Sequence, residues 1–231
     1  MDVGDCLARI AESQVGTRGD LQSGRAALYG YLLATDVKLG AFEPEIEKTG
    51  FGEKTTRISL LNPGANALSS RLHLITQQPP PELPVIFRIH NWCAAFVDWC
   101  VMQLLINSPH ATSLSLAHRP KTALAWGLLE WGKHKHSNCE VSDGTHDMPD
   151  RGDIVVFNFH HTGICVEPGS KLHPRDFHSV EGNTTSGGSG NQGYKVEKRI
   201  RHLHQLKGFV RLPPRHRLGD YNISSRIAHT A

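Results

Sequence analysis

Asp153-Ile154-Val155-Val156-Phe157-Asn158-Phe159 is the stretch where the hydrophobic period of this chain changes. It is a run of β-branched and apolar residues, as expected of a buried strand. Downstream of it, residues 162–166, 177–181, 194–200 and 208–212 read as shorter strands with turn signals between them. Upstream the period is helical. Leu7, Ile10, Ala11 and Val15 share one face of a helix over residues 3–15. Leu28, Leu32, Leu33 and Val37 suggest a second helix, and residues 92–106 and 122–131 two more, the last ended by Gly132. Helices followed by consecutive strands predict an α+β fold, with N-terminal helices packed on an antiparallel β-sheet.

The 231 residues suit one domain with embellishments, and 39% hydrophobic with 20% charged residues is ordinary for a globular protein. We expect a single unit over residues 1–212, an unreadable insertion over 36–88 and a basic tail over 213–231. The insertion ends near Gln77-Gln78-Pro79-Pro80-Pro81, which reads as a stiff extended connector. No stretch approaches the roughly 20 apolar residues of a membrane span. Nor does the start, Met1-Asp2-Val3-Gly4-Asp5-Cys6, carry the basic and apolar regions of a secretory signal. Synthesis in the cytosol, with any export by another route, is the expectation. A formal charge of +3 with no Lys/Arg stretch interleaved with aromatics argues against nucleic acid, although it suits an anionic polymer. Five cysteines at irregular spacing do not form a disulfide framework.

Chemistry concentrates at His90-Asn91-Trp92-Cys93-Ala94-Ala95-Phe96-Val97-Asp98-Trp99-Cys100. This segment reads as the start of a buried amphipathic helix with a cysteine in its first turn. There the unpaired N–H groups and the positive end of the helix dipole favour a thiolate. Such a nucleophile needs a base and a group to orient it. His161, where two expected strands meet, is the best base. His160 should point to the opposite side. Glu181 and Asn183 lie two apart, share a face if extended, and could each accept a hydrogen bond from His161 Nδ1–H. Trp92 and His160 are candidate substrate contacts, although core packing is the plainer reading of Trp92.

The remaining candidates have plainer readings. Cys100, two turns beyond Cys93, reads as core, and Cys139 and Cys165 as structural. Asp153 belongs to a strand entry. His134, His136, Cys139 and His146 have metal-like side chains at a spacing that fits no standard zinc pattern, so no metal is expected. The glycine-rich residues 182–193 lack the ending of a phosphate loop and read as a flexible hairpin loop.

In combination, "NWCAAFVDWC", "ALAWGLLEWG", "RGDIVVFNFHHTGICVE", "VEGNT" and "KVEKRIRHLHQLKGFVRL" resemble the CHAP family of cysteine, histidine-dependent amidohydrolases and peptidases. The opening "LARIAESQVGT" resembles the helix that often precedes the cysteine there. The resemblance implies a papain-like fold and hydrolysis of an amide in the stem peptide or cross-bridge of peptidoglycan, through a thioester and without a cofactor. By position it makes Cys93 the nucleophile, His161 the base, and Glu181 and Asn183 the orienting residues. The chain departs from the family at Asn91, where proline is common, at His160, where glycine is common, and over residues 36–88. A member without a signal peptide is typically a phage lysin or an antibacterial toxin injected into a rival cell, as by a type VI secretion system. The injected effector would meet a cognate immunity protein, and either would act in the cell wall or periplasm. The competing readings are a non-catalytic wall-binding module of the same fold and a zinc-binding structural protein.

Overall fold

The computed structural model describes residues 2–18, 22–35, 92–145, 147–184 and 193–214. The expected insertion and its proline run, Asn91, His146, most of the glycine-rich loop and the tail beyond residue 214 lie outside the described residues. Among the described residues, four α-helices (α1, Val3–Glu12; α2, Gln22–Ala34; α3, Cys93–Asn107; α4, Gly127–Gly132) precede six strands. The strands are β1 (Glu140–Ser142), β2 (Ile154–Phe157), β3 (Thr162–Glu167), β4 (Asp176–Thr184), β5 (Lys195–His202) and β6 (Leu206–Arg211). They form one antiparallel sheet in the order β1-β6-β2-β3-β4-β5. The α+β class and the antiparallel sheet are therefore as the hydrophobic periods predicted. The edge strand β1 was not anticipated, because Glu140-Val141-Ser142 has too few apolar residues to signal one.

β2 is inner on both sides, between β6 and β3. Its alternate residues serve two apolar layers. Ile154 and Val156 join the large cluster under the helices, while Val155 and Phe157 pack with Cys165, Phe177 and Phe209 on the other face. Full burial of such side chains is worth about 1.5–3 kcal/mol each, which is why this segment is an uninterrupted apolar run. The entry to β2 is held by Asp153, which accepts two hydrogen bonds from Arg211 at 3.0 and 2.8 Å. Arg151, just before it, bonds Glu12 and Asp5 of α1.

α3 is not amphipathic as expected. Eleven of its fifteen residues are buried, because α1 and α2 cover the side turned away from the sheet. A helix enclosed all round has no polar face to show. The beginning of the expected tail also differs. Thr112 takes part in a β-bridge with Pro214 and donates its hydroxyl to the Pro213 carbonyl, so these two residues are fastened to the domain.

Candidate active site

Cys93 is the first residue of α3 and only 1% exposed. Phe96 N–H bonds the Trp92 carbonyl at 3.0 Å and closes the first turn. The N–H groups of Cys93, Ala94 and Ala95 precede any available helical carbonyl, so they form the positive end of the helix. His161 stands at the start of β3, where the Phe157 N–H bonds its carbonyl at 2.8 Å across the turn. Glu181 lies on the neighbouring strand β4, paired with β3. His161 and Glu181 are both fully buried.

His161 Nε2 is 2.9 Å from Glu181 Oε2. The ring is therefore turned opposite to the expected hydrogen bond from Nδ1. Nδ1, also buried, has no hydrogen-bond partner among the described residues, and Cys93 is the other side chain besides Glu181 that acts on this ring. Burial works against the imidazolium, but the Cys93 side chain and the Glu181 carboxylate outweigh it and lift the His161 pKa to about 9. Glu181, not Asn183, makes the hydrogen bond to this ring. Asn183 is buried with φ of 59°, and the β4 register shifts between Glu181 and Thr184, so the two-residue alternation that would align the pair is broken there.

A residue not anticipated from the sequence completes the cluster. Arg201 of β5 is 4% exposed and donates through Nε to Glu181 Oε1 at 2.7 Å and through Nη2 to Oε2 at 2.5 Å. Ser179 Oγ donates to Oε1 at 2.5 Å. The guanidinium lies over Phe157 and Phe159, 5.1 and 5.2 Å from their centroids. Burial raises the Glu181 pKa, yet Arg201 and His161 pull it down to about 2, so the carboxylate stays ionised. The cluster is a buried relay: Arg201 fixes Glu181, Glu181 orients His161, and His161 faces Cys93.

Two glycines of the quoted motifs make the relay possible. A Cβ at Gly182 would sit 2.7 Å from Phe96 Cβ and from Trp92 Cζ3, so only glycine lets the start of α3 rest against β4. A Cβ at Gly163 would sit 2.7 Å from Glu181 Cγ, in the space through which that side chain reaches His161. Gly182→Ala should cost about 1–3 kcal/mol by overpacking. If Cys93 is a nucleophile, displacing the helix start by an ångström should lower turnover about 100-fold. Thermal melts together with rates would show both losses, and unchanged rates would refute the placement of α3.

Trp92 is buried, its ring stacked on Tyr31 at 5.8 Å and packed against Gly182, so it secures the helix start. His160 is exposed, has φ of 59° and stacks on Trp126 at 3.8 Å. His134 and His136 stack in a row with His118, and among the described residues no group of three or more ligating side chains could hold a metal. Cys100 is fully buried in the core and burial pushes its thiol up. Also among the described residues, no helix is long and apolar enough to cross a membrane. No protein-family model matches the chain, and a comparison with curated proteins finds no match.

Proposed function

We propose that this chain is a cysteine amidase or endopeptidase of the papain-like CHAP type that hydrolyses peptidoglycan. The observation that carries this reading is the buried cluster in which His161 is held by Glu181 and directed at a cysteine on the first turn of α3. A purely structural cysteine gains nothing from an oriented imidazole, whereas a nucleophile requires one. In the proposed reaction His161 carries the thiol proton as an imidazolium, in keeping with its raised pKa, and the thiolate sulfur attacks the amide carbonyl. The negative charge that develops on the carbonyl oxygen meets the N–H groups at the start of α3. The imidazolium returns its proton to the leaving amine, giving a thioester. Water, deprotonated by the same imidazole, then releases the acid and the free thiol.

Peptidoglycan as substrate rests on the motif resemblance, and the mildly basic chain is compatible with that anionic polymer. Delivery as an injected antibacterial effector, met by an immunity protein, or as a lysin follows from the same reading.

The test is digestion of purified peptidoglycan, with products identified by mass spectrometry. The expected products carry one new amine and one new carboxyl at a single type of peptide bond. Intact muropeptides from both wild type and Cys93→Ala would end the enzymatic reading. Sedimentation of the protein with the undigested wall would then leave the wall-binding module in its place.

A further inference from the structure

Beside the base stands a group of side chains that the proposed chemistry does not use. Trp126, in the turn before α4, donates its indole N–H to the Phe157 carbonyl at 3.0 Å. The Phe157 N–H in turn closes the turn that presents His161. The indole is thereby tied to the residue that ends β2, whose other backbone group holds the turn to His161. Its ring also packs against the apolar cluster on the helix side of the sheet, the cluster that contains most of α3. His160 stacks on this indole, and Lys207 Nζ lies 4.1 Å from its centroid. Both His160 and Lys207 are exposed, and Lys207 has no ion-pair partner among the described residues.

His160 adopts the left-handed backbone region, which costs a non-glycine residue of order 1 kcal/mol. A glycine there would relieve the strain and lose the ring on Trp126. The stack brings an imidazole and an ammonium to one indole, one residue away from the base.

We propose that Trp126, His160 and Lys207 form a wall that receives a carboxylate of the substrate next to the scissile amide. This inference rests on the catalytic reading of Cys93 and His161, and it gives the preferred substrate as a peptide with a free carboxylate near the cleaved bond. Lys207 supplies the charge, His160 supplies an N–H donor, and the indole holds both beside the turn that carries His161. A peptide with free carboxylates and its carboxamide counterpart differ only in that charge, so the wall would separate the two kinds.

The experiment uses the full-length Cys93→Ala protein and two probes, a stem tetrapeptide with free carboxylates and the same peptide with every carboxyl as carboxamide. Calorimetry is expected to give a dissociation constant about fivefold lower for the carboxylate peptide, the scale of an exposed charge pair. Lys207→Gln in that background should abolish the difference by weakening only the carboxylate peptide. Equal affinity for the two probes, or an equal loss for both in Lys207→Gln, would overturn the wall. Because binding is read without turnover, this result is separate from the digest. A chain that binds selectively and cleaves nothing would keep the wall and lose the enzymatic reading.

Discussion

Cys93→Ala is expected to lower turnover of a cleavable stem peptide by on the order of 10⁴–10⁶, the scale seen when a catalytic nucleophile is removed. The same change should leave the fold intact. Cys93 is buried at the start of α3, and the replacement removes a single buried atom, so the stability cost is about 1 kcal/mol. A large loss of rate with an unchanged melting curve separates a chemical role from a packing role. His161→Ala should be similarly inactive, because without Nδ1 the thiol keeps its proton and the leaving amine has no acid. Acid quenching of wild type during turnover, followed by intact-protein mass spectrometry, should show the acyl group on Cys93. A Cys93→Ala protein within tenfold of wild type would remove the proposed mechanism.

Arg201→Met is expected to be the most destabilising single substitution in the cluster, at about 3–5 kcal/mol. The change leaves the Glu181 carboxylate in a fully buried site without the guanidinium that holds both of its oxygens. The pH dependence follows from the two shifted groups. Glu181 falls from 4.5 to about 2, so its share of the stability is present above 4.5 and is lost as pH falls through about 2. His161 rises from 6.5 to about 9, so its share is present below 6.5 and is lost as pH rises through about 9. Wild type should therefore be most stable between 4.5 and 6.5. In Arg201→Met, burial of Glu181 is less opposed, and acid unfolding should begin at higher pH. Urea titrations across pH would show this. The double variant Glu181→Gln/Arg201→Met should cost less than the sum of its two single changes, since neither partner is then left charged alone. Additive losses would mean that Arg201 stabilises the fold by packing on Phe157 and Phe159 and not by holding Glu181.

The strand run after Asp153, the apolar helix from Cys93 and the relative order of Cys93, His161 and Glu181 can all be read along the chain. Each depends on local composition and spacing. Arg201 is the counterexample. In Lys195-Val196-Glu197-Lys198-Arg199-Ile200-Arg201-His202, alternating hydropathy would turn Ile200 inward and Arg201 outward. The structure does the reverse, with Ile200 63% exposed and Arg201 buried. The requirement comes from β4, where a buried carboxylate needs a cation more than the strand needs one more apolar contact. A carboxylate on an expected strand, Glu181 at the end of the run over 177–181, was the available signal for such a partner.

The sequence by itself determined the fold class, the strand that organises the sheet, and the three residue types proposed for the chemistry. These follow from periods and motifs, which are properties of neighbouring residues. Only the tertiary structure decided that Glu181 rather than Asn183 bonds the imidazole, that Nε2 makes that bond, that Gly163 and Gly182 leave room for the relay, and that Arg201 closes it. Each of these depends on side chains brought together from separate strands and a helix, and burial there forces every charge to find its partner in space and not along the chain.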